Sequence, residues 1–156
     1  MTHIKTTAGD LAARDLRMVI VASRFNESVV ARLIEGAVRT LLRHGVAESA
    51  IELVRVPGAF EIPAAVARAA AARQPDAIIA LGAVIRGETP HFEYICAACG
   101  DGLGRLALEL RMPIAFGVLT VDHVEQALER SGAGDDNKGS EAAASAIEMA
   151  RLFRLL

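Results

Sequence analysis

Residues able to do chemistry concentrate in one short string, Gly82-Ala83-Val84-Ile85-Arg86-Gly87-Glu88-Thr89-Pro90-His91-Phe92. Thr89 suits a helix N-cap and Pro90 the first helical position, so His91 falls in the first turn of a helix. Gly87 lets the backbone approach a ligand, and the free amides of a helix start favour an anion such as phosphate. The positive end of the helix dipole disfavours an imidazolium there, which leaves a neutral imidazole able to take a proton. Anion binding beside a base is the chemistry this string offers. A solvated turn carrying an exposed histidine accounts for the same residues.

Three further places repeat the theme. Asn137 can cap a helix, and Lys138 puts a cation where the dipole disfavours one, which makes sense if an anion binds nearby. A solvated lysine fits too. Arg130 ends the preceding helix, where its charge suits the dipole without any ligand. Phe25, between Arg24 and Asn26, can stack on a planar heterocycle or staple the next helix. Glu61, just past Pro57-Gly58, can accept hydrogen bonds from a polyol or favour a helix N-terminus.

These places share a position in the fold, because strand and helix patterns alternate along the chain as in a parallel sheet wrapped by helices. Residues 16–22 read as a buried strand. Asn26 then caps a helix whose stripe is Val30, Leu33, Ile34, Ala37, Val38 and Leu41, with Gly45 as the stop. Residues 51–56 form a second strand, and the alanine-rich residues 60–73 a helix. Residues 77–83 are a strand apolar on both faces. Residues 91–111 read as a long helix, weakened by Gly100, Gly102 and Gly104. Residues 113–119 make the fourth strand, 122–130 a short helix and 138–155 the last one.

The expected fold class is α/β, a flavodoxin-like three-layer αβα sandwich with a four-stranded parallel sheet. Ligands in such sheets bind beyond the carboxyl ends of the strands, where the polar and aromatic residues named above fall. Residues 16–156 read as a single domain. Residues 1–15 lack a period, and form a frayed arm or a strand lent to a neighbouring subunit.

Composition narrows the function. The 156 residues fit one domain. They are 53% hydrophobic and carry a net charge of −2 without a Lys/Arg cluster, which argues against nucleic acid or an anionic membrane as partner. No apolar run is long enough to span a membrane and the N-terminus lacks the apolar stretch of a signal peptide, so the expected location is cytoplasmic. Cys96 and Cys99 form a lone CxxC without the further ligands zinc needs, and read as small packed residues. No metal is expected. The dinucleotide, P-loop and nucleophile-elbow motifs are absent, as is the acidic cluster of a receiver domain.

The string from Gly82 to Tyr94 closely resembles the lumazine synthase family. So do Ser23-Arg24-Phe25-Asn26, Gly58-Ala59-Phe60-Glu61-Ile62-Pro63, Phe116-Gly117-Val118-Leu119-Thr120 and Asn137-Lys138-Gly139, in the right order from about Leu16 to the C-terminus. The resemblance implies condensation of 5-amino-6-(D-ribitylamino)uracil with 3,4-dihydroxy-2-butanone 4-phosphate in riboflavin biosynthesis, without a cofactor. An imine forms, phosphate leaves and the ring closes with loss of water. It also implies roles. Phe25 stacks on the pyrimidine, and the Ala59 backbone and Glu61 hold the ribityl chain with Asn26 close by. Val84 and Ile85 meet the uracil edge through their backbone. Gly87, Glu88, Thr89 and Arg130 bind phosphate, and His91 shuttles protons. Phe116, Lys138 and Arg130 match positions supplied by the adjacent subunit, and Glu141 a position near the histidine. The family forms pentamers, many of them stacked into 60-subunit icosahedral shells that can enclose riboflavin synthase. The short turn at residues 131–136 favours the shell. A module that stores lumazine or flavin is the competing reading, against which His91, Arg130 and Lys138 speak.

Overall fold

The computed structural model describes residues 3–156. Four strands alternate with five helices: β1 (Met18–Ser23), α1 (Glu27–Arg43), β2 (Ile51–Val56), α2 (Ile62–Arg73), β3 (Ala77–Ile85), α3 (His91–Leu110), β4 (Ile114–Val121), α4 (Val124–Arg130) and α5 (Lys138–Leu155). All strand pairs are parallel, in the order β2-β1-β3-β4. The strand order reverses between β1 and β3, so the crevice of this sheet opens at their carboxyl ends.

Side chains alternate across the sheet and build a separate core on each face. Met18, Ile20, Ile79 and Leu81 pack with Leu33 and Leu41 of α1 and with Ala143 and Ile147 of α5. Val19, Val21, Ile78 and Ala80 face Ile62 and Val66 of α2 and Cys99 and Leu103 of α3. The result is the three-layer, flavodoxin-like sandwich expected from the alternating pattern.

Several boundaries moved, each for a tertiary reason. β1 starts at Met18 rather than Leu16, although Leu16 is buried. β3 and β4 run two residues past their expected ends because Val84 pairs with Thr120 and Ile85 with Val121. Phe60 lies in a short 3-10 turn, and α2 begins only at Ile62, next to Pro63. α4 begins at Val124, since the Gln126 side chain accepts from the Asp122 and His123 amides ahead of it. α3 stays helical through its glycines. Of these, Gly102 packs against the Pro63 ring, whereas a Cβ on Gly100 or Gly104 would meet nothing within 4 Å.

Met1 and Thr2 lie outside the described residues. The rest of the arm contains no strand and is not frayed throughout. Ala13 is fully buried, and Gly9 presses on the Glu148 carbonyl of α5, where a Cβ would stand 2.0 Å away. Arg151 pairs with Asp10 and Asp15, and Arg154 with Asp15 and Asp76. The Arg154 hydrogen bond holds the Asp15 carboxyl below its ordinary value of 3.8. A carboxylate depressed in the folded state stabilises fully above its unfolded value and loses that effect as pH falls through the folded one. Thermal midpoints of the native chain and Asp15→Asn should therefore differ at neutral pH and converge below about pH 3.8. A constant gap would contradict the ion pair's role.

Candidate active site

A cleft of about 570 Å³ opens at the carboxyl ends of β1, β2 and β3. Two turns make its floor, joined by backbone bonds from the Arg24 amide to the Val56 carbonyl (2.8 Å) and from the Phe25 amide to the Pro57 carbonyl (3.0 Å). Phe25 projects from the first turn into the cleft and is 72% exposed, so it is not packed down as a helix staple.

Asn26 occupies the N-cap position of α1 but does not cap it through its side chain. Its backbone is left-handed (φ 59°), and the side-chain Nδ2 donates to the Ala83 carbonyl at 2.8 Å. Asparagine tolerates that conformation, and here its amide ties the first turn to β3. Glu61 accepts from the Gly58 amide at 3.0 Å through Oε2, closing the second turn beside the buried Ala59.

The end of β3 forms the back wall. Its pairing with β1 stops at Leu81, whereas its pairing with β4 continues to Ile85. One strand edge therefore stands open in the cleft. The Ala83 carbonyl faces that edge, since it meets Asn26, and the Arg86 amide faces the other way, to the Val121 carbonyl at 2.9 Å. Backbone groups alternate along a strand, so the amide and carbonyl of Ile85 face the cleft and those of Val84 face β4. Both Val84 and Ile85 line the cleft, and of the two it is the Ile85 backbone that faces its open edge.

Gly87, Thr89 and His91 line the outer wall. Thr89 is not the N-cap of α3. Pro90 holds that position, and the Thr89 hydroxyl accepts a long 3.4 Å bond from the His91 amide. Gly87 has no left-handed φ, and a Cβ there would meet nothing within 4 Å. The fold itself does not require glycine at this point, and the space beside it is open. Glu88 is exposed and does not line this cleft. The aromatic rings of Phe60 and Phe92, passed over in the sequence, also line this one. Their signal was an aromatic at a strand-to-helix junction in a chain with only 4% aromatics.

The remaining candidates gather elsewhere. A second cleft of about 330 Å³ lies along β4 and α5 and takes in Phe116, Arg130, Lys138 and Glu141. It shares no lining residue with the first. Lys138 Nζ sits 2.9 and 3.1 Å from the Glu141 carboxylate oxygens, so the anion that a cation at this helix start calls for is supplied by the chain. Glu141 therefore neighbours Lys138, and within one chain it does not join His91. Arg130 donates to the Gln126 carbonyl at 3.0 Å and stays half-exposed. Asn137 caps α5 as expected, accepting from the Gly139 and Ser140 amides. Among the described residues no group of three or more His, Cys, Asp or Glu side chains converges as a metal site. Cys99 is buried, which pushes its thiol up to about 11. No described helix is long and apolar enough to cross a membrane.

Residues 15–154 match the family model described as 6,7-dimethyl-8-ribityllumazine synthase. The chain belongs to that family. A 6,7-dimethyl-8-ribityllumazine synthase of Aquifex aeolicus (strain VF5) is 56% identical over 148 residues, covering 95% of this chain and 96% of that protein. One of Halorhodospira halophila (strain DSM 244 / SL1) is 53% identical over 154 residues, covering 98% and 99%. As a lumazine synthase family member the chain is an enzyme, a transferase of riboflavin biosynthesis.

Proposed function

We propose that the chain condenses 5-amino-6-(D-ribitylamino)uracil with 3,4-dihydroxy-2-butanone 4-phosphate, in a site assembled from two subunits. The observation that carries this reading is the division of the family-type residues between two clefts with no shared lining residue. One subunit supplies Phe25 to stack on the pyrimidine and the open β3 edge at Ile85 to meet its polar rim. Asn26, Ala59 and Glu61 take the ribityl chain. Gly87 and Thr89 receive the phosphate, with Glu88 on the same loop, and His91 moves protons as the imine forms, phosphate leaves and the ring closes. The neighbouring subunit supplies Phe116 over the ring, Lys138 with its partner Glu141, and Arg130 against the phosphate. Binding two reactants in register accounts for much of such a condensation, and the base for most of the rest.

Assembly is supported by α3. Only Cys99 and Leu103 are buried among its 20 residues, while Tyr94 and Leu108 are 74% and 81% exposed. Gly100 and Gly104 stand open on the same helix and allow another backbone to come close. A pentamer places α3 and β4 between subunits. The short turn at residues 131–136 fits further stacking into a 60-subunit shell able to enclose riboflavin synthase. The exposed residues 3–7 are available to pair with a neighbour, and the location proposed is the cytoplasm.

Mixing the two substrates with the purified chain should yield lumazine fluorescence and orthophosphate in step. Product formation no faster than the spontaneous reaction would reject the function. Light scattering on the same sample separates a shell from a free pentamer, and a fully active monomer would reject the divided site.

A further inference from the structure

The segment carrying Gly87, Thr89 and His91 is exposed at every residue from 86 to 91. Its internal bonds are few: a long one from the His91 amide to the Thr89 hydroxyl at 3.4 Å and one from the Glu93 amide to the Pro90 carbonyl at 3.1 Å. Among the described residues, positions 87–90 make no hydrogen bond beyond the first turn of α3. What fixes the segment in space is therefore its two ends.

One side chain holds both ends. The Arg86 amide bonds to the Val121 carbonyl at 2.9 Å, and its Nε donates to the Asp122 carboxylate at 2.8 Å, just past β4. Its Nη1 reaches across to Glu93 in the first turn of α3. The guanidinium carbon also sits 4.3 Å from the centroid of the Phe92 ring, itself part of the cleft wall. Both carboxylates are held below their ordinary values, chiefly by hydrogen bonds from Arg86. Arg86 lines neither cleft. Exposed ion pairs of this kind add little to stability, so the use of this one is geometric.

We infer that Arg86 is a positioning residue for the reaction: it locks the first turn of α3 against the end of β4 and so sets His91. A planar guanidinium can bridge two carboxylates while lying on a ring; an ammonium cannot do all three. The inference rests on the function proposed above for His91.

The test compares Arg86→Met and Arg86→Lys in the assembled protein, each also in a His91→Ala background. Arg86→Met should lower kcat by about 10- to 100-fold, the scale expected when reacting groups are misplaced by about 1 Å. KM for the ribitylaminouracil should change little, because that substrate meets other elements. Arg86→Lys should restore part of the rate. In the His91→Ala background the same Arg86→Met change should cost less than about twofold. Amide exchange at Arg86, His91 and Glu93, the hydrogen-bonded amides of the clamp, should rise in Arg86→Met while the core strands stay protected. An unchanged kcat, an equal loss in both backgrounds or unchanged exchange would each overturn the inference. Where His91→Ala leaves no rate above the spontaneous one, the exchange measurement decides. Absence of lumazine from the native chain would reject the function instead, and exchange would still test the clamp.

Discussion

Replacing His91 by alanine should cut kcat by about 10²- to 10⁴-fold, the range usual for a positioned general acid–base group. The affinity for ribitylaminouracil should hardly fall. Both halves of this expectation follow from where the histidine stands. It is exposed in the first turn of α3, with no ion pair or side-chain hydrogen bond, so its removal leaves no cavity and strands no buried partner. Exposed substitutions of that kind shift stability by about 0.5 kcal/mol or less. The groups proposed to hold the ring and the ribityl chain sit on the β1 and β2 turns and on the β3 edge, and remain in place. Steady-state kinetics with a binding titration of the ribityl substrate would separate the two quantities. Unchanged turnover would remove the proton shuttle from the mechanism.

Gly139→Ala should be among the most disruptive small substitutions in the fold. The new Cβ would lie 2.0 Å from the Leu33 carbonyl oxygen, 2.7 Å from its carbon and 2.9 Å from the Leu33 Cα. All three are backbone atoms in the middle of α1, so no side chain can swing aside and the two helices must part. Overpacking usually costs about 1–3 kcal/mol, and a rigid clash belongs at or beyond the top of that range. The displacement also strains the buried Asn137. Its Nδ2 donates to the Arg32 carbonyl at 3.1 Å and the Gly132 carbonyl at 2.8 Å, while Oδ1 accepts from the Gly139 and Ser140 amides. Leaving any of these groups buried and unpaired adds about 1–3 kcal/mol. Denaturant unfolding should show a midpoint well below the native one. A change under about 1 kcal/mol would mean the helices separate more easily than close packing allows.

The apolar runs made the four strands legible, and the three-and-four spacing of Val30, Leu33, Ala37 and Leu41 did the same for α1. What escaped depends on partners distant in the chain. Asn26 has the right type for a cap, but its left-handed backbone sends the side chain to Ala83, and nothing local specifies that. Val84 and Ile85 read as loop because the β4 residues that extend the strand lie far downstream. Arg86 was passed over because its carboxylates come from two different elements. The Lys138–Glu141 pair, by contrast, has a spacing of three on one helix and was readable from the start. Motif likeness implied the membership of the candidate site and its division between subunits; the geometry adds that the two groups line separate clefts within one chain.

That partition has a genetic consequence. On the divided site proposed above, each chain gives one half-site to one neighbour and the complementary half to another. A His91→Ala chain and an Arg130→Ala chain are then defective in different halves, and neither alone forms a sound junction. Co-assembled in equal amounts around a ring, about a quarter of the junctions unite the intact half of each. Two inactive alleles would thus rescue one another in proportion to how freely their products mix.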